Sequence, residues 1–163
     1  MIAVALAQAA TVATMACAID RIHPRRHARA YAAMHVEQGA AAGVDPWLLA
    51  AIAEHETDHR HNRIGAAGEL GLLQFMPRSG ADHALDWRSS YRIGIVRLLT
   101  YRRHHRTRCG RGADHPWWQH WNSGYRILRA GWAAGYGSRV AAARGVLLAA
   151  ARRCATSSRS PRR

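Results

Sequence analysis

A chain of 163 residues is long enough for one domain with its own core and short for two. Its 48% apolar content, abundant alanine and single Phe exclude a disordered chain and argue for helices over sheet. The formal net charge is +14, carried by Arg with no Lys. That selects an anionic partner: nucleic acid, anionic lipid or an acidic cell wall. No run of like charge is long enough for a nucleic-acid arm and no recognised nucleic-acid motif is present, so no specific nucleic acid is expected.

Taken in chain order, residues 1-19 contain no charged side chain. Ala16-Cys17-Ala18 has the small-x-small pattern of a signal cleavage site, without the basic segment that normally precedes it. Gln8, Thr11 and Thr14 make the same stretch a mediocre membrane anchor. An Ala-rich helix packed on the domain is the third reading. Export in some form is expected, with membrane association through residues 1-19 as one route. Removal of a signal after Ala18 would leave Cys109 and Cys154, which could pair in an oxidising compartment or remain free thiols.

After the link around Pro24, a helix is expected from His27 to Ala42, ended by Gly43. Asp45 caps the next helix and Pro46 opens it. Leu48, Leu49, Ile52 and the intervening alanines make its surface almost continuously apolar, so it should be central. Glu56 lies near its C-terminal end, and residues 58–63 read as an exit loop. Gly65, Gly68 and Gly71 mark a tight segment. Ser89 or Ser90 should cap a helix to about His104, with Ile93, Val96 and Leu99 as its apolar stripe. A short helix is expected over Pro116–Trp121, breaking at Asn122-Ser123-Gly124. Two more are expected over Tyr125–Trp132 and Ser138–Arg153, separated by Gly135 and Gly137. The division expected is an apolar segment at 1-19, a helical domain at 20-153 and a basic flexible tail at 154-163.

Three stretches carry chemistry. Glu56-Thr57 places an acid at the end of an apolar helix, where burial would raise its pKa and suit it to proton donation. Gly68-Glu69-Leu70-Gly71-Leu72-Leu73-Gln74-Phe75-Met76-Pro77 is a glycine-punctuated turn with one amide. Trp121-Asn122-Ser123-Gly124 is a turn with a second amide. In this order they resemble the active site of the lytic transglycosylases of the lysozyme-like superfamily, which cut the glycan strands of bacterial peptidoglycan. The later pair Tyr136 and Val140 fits the same pattern, and the likeness extends from about His27 to Arg153.

The resemblance implies a single all-α, lysozyme-like domain with long functional loops and no cofactor. It implies Glu56 as acid and then base in cleavage between N-acetylmuramic acid and N-acetylglucosamine, giving 1,6-anhydro ends. Thr57, Gln74, Met76, Trp121, Asn122 and Tyr136 would serve the substrate. The partners implied are peptidoglycan glycan strands and anionic cell-wall components, in the periplasm, the cell envelope, a secreted form or a virion. Among the aromatics Trp117, Trp118, Trp121, Tyr125 and Trp132, the neighbour of Asn122 is the one favoured for stacking on sugar. Three positions depart from the family. Gly65 stands where a serine is usual, and Trp121 replaces a tyrosine. Glu69 replaces a small residue and would, as a second carboxylate in the site, reopen hydrolysis of the same bond by activated water.

A rival pattern occupies the same residues. His55-Glu56-Thr57-Asp58-His59 reads as H-E-x-x-H, in which two histidines one helical turn apart bind zinc and the Glu activates water; His61 would be a third ligand. This metallopeptidase reading needs the helix to continue through His59, and it leaves the segments at Gly68 and Asn122 without a role.

Overall fold

The computed structural model describes residues 2–24, 26–108, 117–119, 121 and 134–157. Five α-helices are present among them: α1 (Ile2–Ile22), α2 (Ala28–Ala42), α3 (Pro46–Thr57), α4 (Trp87–Arg108) and α5 (Ala134–Ser157), with 3-10 turns at Gly80–Ala84 and Trp117–Gln119. The described part is all-α, as composition implies; its only β pairing is the isolated bridges Ile64 with Leu70 and Leu70 with Phe75. No helix among the described residues is long and apolar enough to cross a membrane.

α3 is the centre. Leu49, Ala50, Ala51, Ile52 and Ala53 are fully buried between α2 and α5. A helix apolar on every side has no solvent face to offer, and burying each Leu or Ile contributes about 1.5–3 kcal/mol. Its start is fixed as the sequence dictates: the Asp45 carboxylate accepts from Trp47 N at 3.0 Å with Pro46 in the first turn, and Arg144 on α5 reaches the same carboxylate. Gly43 ends α2 with φ +60, a conformation that costs a glycine little.

α1 packs on α2 and α5, with Met15, Ala18 and Ile19 fully buried. The conditional pairing of Cys109 with Cys154 is corrected here. Cys154 is bonded to Cys17, across 137 positions of sequence, because α1 runs beside α5; Cys109 lies outside the described residues.

Two other expectations change. The inward face of α4 is Tyr91, Ile95 and Leu98, and Val96 is 64% exposed. The helix begins earlier than expected, at Trp87, where the Asp86 carboxylate caps Arg88 N and Ser89 N. That start adds a turn, and the face turned inward is the one on which Gly94 lets Leu73 approach closely. Gly135 and Gly137, expected between helices, both lie inside α5. The helix expected at Tyr125–Trp132 and the turn at Asn122-Ser123-Gly124 fall outside the described residues, as does much of the basic tail.

Candidate active site

α3 delivers Glu56 in its last turn, and Asp58 and His59 follow with φ of +49 and +56. Two consecutive left-handed residues end the helix abruptly. The chain then folds back so that Leu70 bridges both Ile64 and Phe75. This places the 63–78 segment over the end of α3 and forms a groove of about 380 Å³, walled on the other side by Arg97, Thr100 and Tyr101 of α4 and by Trp121. Arg97 binds this segment to α4: it donates to Met76 O, pairs with Asp82 at 3.1 Å and lies 4.7 Å above the Phe75 ring.

Glu56 opens onto this groove. Burial is the largest influence on its carboxyl and pushes its pKa up; the Tyr136 hydrogen bond and the Arg63 and Arg139 charges pull down, while the Glu69 charge adds to the rise. The net result is a carboxylic acid that holds its proton to higher pH than an exposed Glu, as a general acid requires. The Tyr136 hydroxyl donates to Glu56 Oε1 at 2.7 Å. That phenol is itself held protonated, chiefly by burial and then by the charge of Glu56.

The other expected site residues divide. Gln74 and Met76 line the groove, Met76 with 53% of its surface exposed. Gln74 has φ +48, and its amide nitrogen donates to Gly71 O at 2.9 Å and Arg63 O at 3.2 Å. The side chain therefore pins its own turn and leaves its carbonyl oxygen for the groove. Trp121 lines the groove too, with its indole N–H donating to Leu73 O at 2.6 Å and its ring edge-on to Tyr101. Asn122 lies outside the described residues.

Thr57 and Tyr136 are corrections. Thr57 is fully buried, and its hydroxyl donates to Ala53 O at 2.9 Å and Leu72 O at 3.3 Å. It lies on the face of α3 turned away from the groove and ties the helix end to the loop. Tyr136 is 1% exposed, with its hydroxyl turned to Glu56, and offers almost no surface to the groove. Its contact with Glu56 spans 80 positions and has no local signal in sequence. Arg97, Thr100 and Tyr101 were overlooked as site residues although their spacing puts them on one helical face.

The zinc pattern does not assemble. α3 stops at Thr57, so His55 and His59 do not share a helical face. The His55 ring stacks on Tyr136 at 5.1 Å and faces Arg139. His59 is fully buried on the other side: its Nδ1 bonds Glu54 Oε2 at 2.9 Å and its Nε2 meets His35 Nε2 at 3.3 Å, while His35 Nδ1 meets the Tyr91 hydroxyl at 2.7 Å. Burial disfavours the Glu54 charge, but the hydrogen bonds and charges of His59 and His23 outweigh it and hold its pKa below the ordinary value. Burial, and then His59, keep His35 neutral. The Glu54 carboxylate accepts from His59 Nδ1, and the buried run continues through His35 to the Tyr91 hydroxyl. Among the described residues, the ligating side chains that do converge are His23, Glu54 and Asp58. They form a cluster in which His23 Nε2 lies 2.8 Å from Glu54 and 3.9 Å from Asp58.

Residues 34–93, from within α2 to the second turn of α4, match the family model described as the transglycosylase SLT domain. Comparison with curated proteins and with solved structures gives no match. The matched span holds Glu56, Gln74 and Met76 together with the turn that builds the groove. Over that span the chain is similar to the transglycosylase SLT domain, a likeness that supports a lytic transglycosylase of the lysozyme-like superfamily.

Proposed function

We propose that Glu56 is the single acid/base of the reaction and that the products carry 1,6-anhydro-N-acetylmuramic ends. The observation that carries this reading is the half-buried Glu56 carboxyl at the edge of the groove, held by the Tyr136 hydroxyl at 2.7 Å. In the first step Glu56 gives its proton to the bridging oxygen, and the bond from the anomeric carbon of the muramic residue to that oxygen breaks, leaving the electron pair on oxygen. In the second, the Glu56 carboxylate takes the proton of the muramic 6-hydroxyl as that oxygen bonds to the anomeric carbon. Glu56 ends protonated as it began, and no water is consumed.

Gln74 Oε1, Met76 and Trp121 are placed to line the glycan path, and Asn122 follows Trp121 in sequence. Arg63 and Arg78, which also line the groove, suit the carboxylates of peptide stems and other anionic wall components. The Cys17–Cys154 bond supports an oxidising compartment, the periplasm, the envelope or the outside of the cell. The buried face of α1 favours its retention in the folded enzyme.

The test is Glu56→Gln on purified peptidoglycan, with mass spectrometry of the soluble products. Loss of release with an unchanged melting profile, and wild-type products one water lighter than reducing ends, are expected. Retained release by Glu56→Gln would sink the assignment. Reducing ends would transfer the site to hydrolysis, an outcome that Glu69 in the groove makes worth scoring.

A further inference from the structure

The hairpin that roofs the groove sets Gly65 opposite Glu69: Gly65 N donates to Glu69 O at 2.8 Å, flanking the Ile64–Leu70 bridge. Side chains directly opposite in such a pair share one face and compete for the same space. Gly65 is not in the left-handed region, so its backbone would accept any L residue. What it cannot accept is a Cβ, which would collide with Glu69 Oε2 and stand 2.6 Å from Gln74 Oε1. The room vacated at Gly65 is therefore filled by a carboxylate. That carboxylate is anchored by Ala67 N, which donates to Glu69 Oε2 at 3.0 Å, and it lines the same groove as Glu56. The two departures from the family pattern, at Gly65 and at Glu69, are thus one structural change.

We propose that Glu69 is a second working carboxylate of the groove, an anion set against the positive charge that develops on the sugar ring, and that Gly65 is the residue that admits it. A fixed negative charge in a half-enclosed site stabilises a cationic transition state more than the neutral ground state, which is what accelerates a reaction. The same charge also favours the protonated form of Glu56 before the substrate is cut. The inference rests on the reading of Glu56 as the acid.

The experiment compares wild type, Glu69→Gln, Glu69→Asp, Gly65→Ala, the Gly65→Ala/Glu69→Gln double variant and Glu56→Gln, on defined glycan strands across pH. Melting curves accompany each. Glu69→Gln should lower kcat on the order of tenfold or more with little change in KM. It should also move the high-pH limb of kcat/KM to lower pH, because Glu56 then loses its proton earlier. Glu69→Asp should recover part of kcat and the limb. Gly65→Ala meets only the ends of two flexible side chains, so it should fold, displace the carboxylate and reproduce the Glu69→Gln profile. The double variant should then be no worse than either single one.

A wild-type kcat and unmoved limb in Glu69→Gln overturns the proposal, as does a lowered kcat with no movement of the limb, which marks a merely structural residue. Full additivity of the two substitutions overturns the role of Gly65. If Glu56→Gln is itself active, the underlying reading fails instead, and the two failures are distinguished on the same plates.

Discussion

Tyr136→Phe is the sharpest probe of the acid. The substitution removes one oxygen from a side chain that is 1% exposed and keeps the ring that packs against His55. What is lost is a hydrogen bond of 2.7 Å to Glu56 Oε1, strongest when Glu56 is ionised. Bonds to charged groups contribute about 1.5–3 kcal/mol. Losing this bond removes a preference for the ionised form, so Glu56 should retain its proton to higher pH. The high-pH limb of kcat/KM moves up with it, since the acid is active while protonated and lost as pH rises through its pKa. The maximal rate should nevertheless fall. Proton donation creates the carboxylate that Tyr136 would have stabilised; with about half of that charge formed at the transition state, about 0.7–1.5 kcal/mol is lost, a three- to twelvefold drop in kcat. The assay is initial release of soluble muropeptides from pH 5 to pH 10, with a melting curve to establish the fold. A limb that stays in place, or moves down, refutes the account of how Glu56 is poised.

Two further outcomes follow from the geometry. Thr57→Val should lower stability by about 1–2 kcal/mol in urea unfolding, by deleting a buried donor to Ala53 O and Leu72 O, and should leave KM unchanged; a raised KM with unchanged stability would return Thr57 to the substrate. Cys17→Ala removes the bond to Cys154 and should cost about 2–4 kcal/mol, read as a melting point lowered by about 5–15 °C. The variant should also become indifferent to reductant, and equal melting points with and without reductant in the wild type would show that the bond carries no stability.

The chain's local grammar was legible. Gly43, Asp45 and Pro46 punctuate α2 and α3 where their backbone chemistry demands, and the polar run at 58–63 leaves the helix as expected. Glu56 was legible as a candidate because three stretches fall in the order of a family pattern, whereas a lone Glu at a helix end reads as an exposed carboxylate; its place on the groove agrees with that candidacy. What could not be read was anything that depends on which helix lies beside which. Tyr136 reaches Glu56, and Cys154 reaches Cys17, only because α5 returns along the bundle; neither contact has a periodicity to betray it. The stripe on α4 was legible only in part, with Leu99 against the core and Val96 exposed, because Ile93, Val96 and Leu99 satisfy helical spacing as well as Tyr91, Ile95 and Leu98 do. Only the close approach of Leu73 at Gly94 decides between them. Thr57 was given to the substrate from its place beside the acid, yet neighbours on a helix point about 100° apart.

The buried run from Tyr91 through His35 and His59 to Glu54 has a consequence for how the helices find their alignment. Apolar side chains tolerate sliding, because one methyl contact substitutes for another. A buried run of hydrogen-bonded polar groups does not, because each must keep its partner. Turn α4 by one position and the hydroxyl that begins the run is gone, leaving the buried imidazole nitrogen of α2 without its partner. Competing arrangements of the same bundle are thereby penalised even where they bury equal area. His59, one half of the metal pattern, serves with His35 as a lock on helix register.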